Sequence, residues 1–194
     1  MPMENIARSL AVALGERDSG TLMHSDRVVR LSAEMGSHLK LSAQDLDVLA
    51  MGAQFHDVGK IGIPDNVLSK PAAFEANEWA VMKQHPLIGE RIVLAIGAEH
   101  SPEIARVVRH HHENFDGSGY PDGLAGTDIP LFSRIISLAD NYDAMAVARP
   151  YHKARQHQEV MDILHEGAGT KHDPELLQAF CVIIENSEMR TSEA

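Results

Sequence analysis

The sequence predicts an all-α fold, a compact bundle of seven or more helices with a glycine-rich loop. Three observations predict it. Apolar residues recur at the spacing of an amphipathic helix along the whole chain. No sustained apolar–polar alternation marks a strand. Caps, prolines and glycines fall at helix-length intervals.

Each element follows from a local signal. Ile6, Leu10 and Leu14 in phase set a helix over Glu4–Leu14. Val28, Leu31, Met35 and Leu39 set a second over Thr21–Leu39. Ser42, with Asp45 three residues on as a weak capping box, opens a third that reaches Val58 before Gly59 stops it. Pro64 and Pro71 bound a loop. Phe74–Gln84 reads as a helix closed by His85-Pro86, and Leu87–Ile96 as a short one ended by Gly97. Ser101-Pro102-Glu103 supplies a hydroxyl cap, a first-turn proline and an acid at the positive end, starting a helix to Asn114. Residues 115–130 hold four glycines, Pro121 and Pro130 and form an irregular loop. Ser133 caps a helix to Val147; another spans Gln156–Glu166; Asp173-Pro174-Glu175 starts the last, to Asn186. With no repeat or linker, residues 1–194 read as one domain with its core over 4–186 and a frayed tail from 187.

Charge and cysteine usage narrow the function. Against 17 basic residues stand 28 acidic ones, giving a net charge of −11, which excludes duplex nucleic acid as a partner. Lone Cys181 forms no internal disulfide and suits a reducing, cytoplasmic setting. No apolar run approaches the ~20 residues of a membrane span, and Glu4 and Arg8 interrupt the opening segment as a secretory signal. Twelve histidines are the excess to explain.

Several share an inward face. His24 is in phase with Val28, Leu31 and Met35; His56 with Leu49 and Ala53; His111 with Ile104 and Val107; His112 with Val108. Separate burial of four imidazoles is costly, whereas one shared metal site satisfies them together. His56-Asp57 adjoin at a helix end, Asp140 stands mid-helix after Ile136, and His85 lies where Pro86 leaves its ring free to aim. His110 falls in phase with Glu103 and Arg106 and reads as exposed. His38, His100, His157 and His165 read as solvated, and His152 and His172 stay undecided. Trp79 and Met82 read as core rather than base-stacking surface, and the methionines as core filling. Ser25 is no nucleophile, since His24 is claimed by the metal; Gly117-Ser118-Gly119 lacks the strand and Lys-Ser/Thr of a phosphate loop.

Five histidines and two aspartates exceed a four-ligand zinc site and suit two ions bridged by Asp57. Mixed imidazole and carboxylate donors favour two divalent transition ions, iron or manganese. Such a pair clamps the oxygens of a phosphoryl group.

These residues resemble the HD-GYP phosphodiesterases of the HD-domain superfamily. The matching stretches are Glu16-Arg17-Asp18 through His24-Ser25-x-Arg27-Val28, His56-Asp57-Val58-Gly59-Lys60, Met82-x-x-His85-Pro86, His111-His112-Glu113 with Asp116-Gly117-x-Gly119-Tyr120-Pro121, and Ala139-Asp140-x-x-Asp143-Ala144-Met145. The resemblance implies hydrolysis of cyclic di-GMP, usually to pGpG and in some members on to GMP; a hydroxide bridging the two metals would be the nucleophile. It implies His24, His56, Asp57, His85, His111, His112 and Asp140 as metal ligands, and Asp57 and Lys60 as catalytic groups. Lys60, Asp143 and Arg149 would contact substrate.

Gly20 stands where family members with a third metal carry glutamate, so two metals are expected; His152 and His172 replace a cation and an aromatic. Two alternatives remain open. One is another cyclic dinucleotide, mixed guanine–adenine. The other is a low-activity signalling module that docks a diguanylate cyclase-type or adaptor protein through Gly119, Tyr120 and Pro121. A homodimer is compatible with either.

Overall fold

The computed structural model describes residues 3–17, 21–147 and 154–191. Their helices are α1 (Met3–Gly15), α2 (Thr21–His38), α3 (Ala43–Phe55), α4 (Asp65–Leu68), α5 (Ala76–Met82), α6 (His85–Ile96), α7 (Ser101–His110), α8 (Leu131–Ala146), α9 (His157–Glu166) and α10 (Pro174–Ile184). Two 3₁₀ turns, Val58–Gly62 and Gly126–Asp128, join them. Among the described residues the nearest approach to sheet is an isolated bridge, Ala168 to His172. No described helix is long and apolar enough to cross a membrane.

Helix α8 is the spine of the larger core. Its Ile135, Ile136, Leu138, Ala139 and Tyr142 are buried among Val28, Leu31 and Met35 of α2, Leu49 and Ala53 of α3, and the inner faces of α9 and α10. A second cluster, including Ala7, Val48, Phe55, Val93, Ile104 and Val108, joins α1, α3, α6 and α7. Each large side chain buried this way contributes about 1.5–3 kcal/mol. Ile63, Val67 and Met82 form a small third cluster under the connection between α3 and α6.

Most boundaries that differ from expectation lie around the histidines; α8 also opens earlier, at Leu131 after Pro130, and Ser133, expected as its cap, instead donates to the Val107 carbonyl at 2.9 Å. Helix α3 starts as expected, with Ser42 Oγ accepting the Asp45 N–H at 3.2 Å. It stops at Phe55 rather than Val58, and the chain turns into the first 3₁₀ segment. That turn presses Gly59 against the start of α6, where a Cβ would stand 1.8 Å from the His85 carbonyl oxygen. Gly59 is therefore a point of backbone contact. Helix α4 occupies the expected loop, opening directly after Pro64. Helix α6 begins at His85 instead of Leu87, since Pro86 is well tolerated in a first turn. Helix α7 ends at His110, leaving His111 and His112 in a turn.

The glycine-rich loop is irregular but pinned. Tyr120 N–H donates to the His112 carbonyl at 3.2 Å, Gly126 N–H to Phe115 at 2.8 Å and Asp116 N–H to Thr170 at 2.9 Å. Gly119 passes so close to the chain that a Cβ would stand 2.2 Å from the Asn114 nitrogen.

Four burial expectations are corrected. His110 is buried, because Asp122 of the loop folds over it and bonds its Nε2 at 2.8 Å. His157 is buried between the Tyr142 hydroxyl at 3.0 Å and Glu185 at 3.1 Å. Trp79 is 43 % exposed although its neighbour Met82 is buried. Met35, Met82 and Met161 fill the core, but Met23 is exposed on the outer face of α2. His172, left undecided, is buried.

Candidate metal centre

Five segments bring the ligand candidates together. Helix α2 presents His24 from the face it buries through Val28, Leu31 and Met35. The end of α3 presents His56 and Asp57, the first residue of α6 presents His85, the turn after α7 presents His111 and His112, and the middle of α8 presents Asp140. The imidazoles form a connected cluster: ring centroids are 5.3 Å apart for His24–His56, 5.4 Å for His56–His111, 5.3 Å for His111–His85 and 5.0 Å for His85–His112. All seven sequence-predicted ligands reach this one place.

Asp57 stands at its centre with its two oxygens facing different imidazoles. Oδ2 lies 3.4 Å from His56 Nε2 and 3.9 Å from His24 Nε2, while Oδ1 lies 3.6 Å from His85 Nε2. Asp140 Oδ1 is 3.0 Å from His24 Nε2. Two groups of donors result, His24, His56 and Asp57 on one side and His85, His111 and His112 on the other.

Three of the rings are aimed by one device. Nδ1 of His56, His85 and His111 lies 2.6, 2.9 and 2.6 Å from the carbonyl three residues earlier, of Ala53, Met82 and Val108 respectively. A carbonyl only accepts, so each Nδ1 carries the proton and each Nε2 turns a lone pair into the cluster. His56 Nε2 is buried with no hydrogen-bond partner. His85 Nε2 and His111 Nε2 face each other at 3.4 Å as two acceptors. Orphaned, converging lone pairs of this kind fit a cation and are costly without one.

Electrostatics agree. Burial pushes His85 down to about 4, His112 down to about 3 and His111 well below its ordinary value, so these rings are neutral donors at neutral pH. Burial opposes ionisation of Asp57, but Lys60 and His56 overcome it and hold the carboxyl well below the usual range. His24 behaves differently: against burial, hydrogen bonds to Asp140 and Asp143 raise it to about 9.

The remaining predicted residues divide. Lys60 donates to Asp57 Oδ2 at 2.7 Å from the partly exposed rim. Asp143, expected to contact substrate, is instead buried behind the site: it accepts from His24 Nδ1 at 2.6 Å and from Arg27. Arg149, like Gly20 and His152, lies outside the described residues. Tyr120 stacks on His112 with centroids 4.9 Å apart, placing Gly119-Tyr120-Pro121 beside the second donor group.

Sequence reasoning placed two arginines in matching stretches and gave neither a role. Arg27 holds Asp143, and Arg17 donates to the carbonyls of Ile61 and Ile63, fixing the chain just past Lys60. Their places in the stretches Glu16-Arg17-Asp18 and His24-Ser25-x-Arg27-Val28 were the signal. A third cluster, His110, Glu113 and Asp122, is a clasp for the loop. Arg109 and His110 bond the Asp122 carboxylate, and Glu113 accepts the Asp122 N–H at 2.7 Å.

A family model described as HD domain matches residues 4–176. The chain belongs to the HD domain family. Its similarity extends to a protein named cyclic di-GMP phosphodiesterase response regulator RpfG from Xanthomonas campestris pv. campestris, 39 % identical over 91 % of this chain and 46 % of that one. It extends also to 3'3'-cGAMP-specific phosphodiesterase 2 of Vibrio cholerae serotype O1, 31 % identical over 90 % of this chain and 34 % of that one. Among solved structures, a cyclic GMP-AMP specific phosphodiesterase of V. cholerae (V-cGAP3) shares the fold, with a TM-score of 0.74 at 20 % identity over 95 % of this chain and 49 % of that one. This HD domain spans less than half the length of each of these relatives.

Proposed function

We propose that this chain is the catalytic domain of a metal-dependent phosphodiesterase that hydrolyses cyclic di-GMP to pGpG and on to GMP. The observation that carries this reading is Asp57, whose two oxygens face two separate imidazole groups. His24, His56, Asp57 and Asp140 would hold one divalent ion, and His85, His111, His112 and Asp57 a second. Iron or manganese suits these donors. Bound there, two ions would supply Lewis-acid polarisation of the phosphoryl oxygens and a nucleophile at neutral pH.

The chain's own groups do the rest. The carbonyl-anchored rings of His56, His85 and His111 hold their lone pairs in fixed directions, so little reorganisation accompanies ligand binding. Asp143 and Arg27 orient His24 from behind. Lys60 keeps a positive charge at the rim, where it attracts a phosphodiester and stabilises charge gathering on its oxygens. The acidic surface makes this local charge decisive for an anionic substrate. Similarity to relatives named for cyclic di-GMP and 3'3'-cGAMP supports a cyclic dinucleotide as the substrate class.

The test is turnover of cyclic di-GMP, in competition with 3'3'-cGAMP, by protein loaded anaerobically with iron or manganese. The expected result is metal-dependent release of pGpG, at least ~100-fold slower in Asp57→Ala. Equal rates for wild type and variant would refute the reading.

A further inference from the structure

The aromatic contact that begins at the metal centre continues outward. Tyr120 stacks on His112 at 4.9 Å and 29°. Trp79 of α5 meets the Tyr120 ring edge-on at 6.0 Å and 81°, and Phe74 stacks on Trp79 at 6.1 Å and 19°. Lys83 Nζ stands 6.0 Å from the Tyr120 centroid, adding a cation beside the rings. Trp79 nevertheless leaves 43 % of its surface in water. It is the single tryptophan of the chain.

The ring is held in place. Helix α5 starts with a reciprocal capping box between Glu75 and Glu78, and Lys70 donates to Glu78. A large aromatic fixed by its neighbours but left half solvated forgoes hydrophobic stabilisation. Its position gives that exposure a use. Two ring-to-ring contacts, of 4.9 and 6.0 Å, join it to a candidate metal ligand. An aromatic face accepts any base by stacking, and the nearby ammonium complements an anionic ligand.

We propose that Trp79, backed by Phe74 and held against Tyr120, is a stacking platform for one purine base of the dinucleotide whose phosphodiester is cleaved at the metal centre. This rests on the phosphodiesterase reading and adds a binding determinant outside the ligand set.

The lone tryptophan reports on its own occupancy. Titrating manganese-loaded wild-type protein with GMP, AMP and ribose 5-phosphate should quench its fluorescence saturably with either nucleotide and not with the sugar phosphate. Trp79→Ala should raise KM for cyclic di-GMP roughly 10- to 100-fold, with the effect on KM rather than kcat, and Trp79→Phe should restore most of it. An unchanged KM, or quenching no different between nucleotide and sugar phosphate, would overturn the platform. So would fluorescence that follows protein concentration alone, which would assign the ring to contact with a second copy. Bis(p-nitrophenyl) phosphate, which carries no base, separates the two readings in wild-type protein. Its hydrolysis without base-dependent quenching sinks the platform only; no metal-dependent hydrolysis of either ester sinks the phosphodiesterase.

Discussion

At the scale of single residues, the site is built by hydrogen bonds that fix which nitrogen is free. His56, His85 and His111 each spend Nδ1 on a carbonyl three residues back, so the backbone that ends a helix also selects the tautomer. His24 Nδ1 is met by Asp143, itself held by Arg27. Removing Asp143 takes from this ring the carboxylate at Nδ1 and from Arg27 the carboxylate it holds. Asp143→Ala is therefore expected to weaken metal retention about 10- to 100-fold and to lower turnover in parallel. Metal titration with elemental analysis measures the first, and an unaltered metal content at limiting ion would contradict the assignment. Arg27→Ala should act in the same direction and less strongly. The candidate ligands themselves were legible in the sequence, because helical phase and the HD motif mark them. Asp143 was legible as a motif residue but not in its role, since a motif does not say what a side chain meets.

At the scale of elements, the decisive contact is between the turn after α3 and the start of α6. Gly59 lets the backbone carrying His56 and Asp57 touch the backbone carrying His85, leaving no room for a side chain. Gly59→Ala must separate the two segments. The expected outcome is a loss of ~3 kcal/mol or more in denaturant unfolding, together with loss of metal-dependent turnover. Retained stability and activity would show that α6 can slide without disturbing the donors. The sequence marked Gly59 as a helix stop, which local rules allow; its closer function depends on a partner 26 residues later.

Across the whole molecule, burying so many titratable rings makes the metal-free protein sensitive to pH on both sides. His85 and His112, lowered by burial to about 4 and about 3, and His111, also lowered, stay neutral in the fold while the unfolded chain protonates below pH 6.5. Stability therefore falls between pH 6.5 and 4. His24 has the opposite sign: raised to about 9 by Asp140 and Asp143 against burial, its contribution is complete below pH 6.5 and is lost as pH rises through 9. Melting temperature of chelator-treated protein should peak near pH 6.5 and decline on both sides. A curve that rises steadily from pH 4 to 9 would exclude this balance.

The sequence by itself determined the helical class, the order of the elements and the seven converging donors, because each rests on spacing along one helix or on a short motif. Only tertiary structure decided what covers His110 and His157, why Trp79 stays half in water and what Asp143 holds. Periodicity reports which way a side chain points from its own helix axis. Whether another segment meets it there is fixed by the packing of the whole chain.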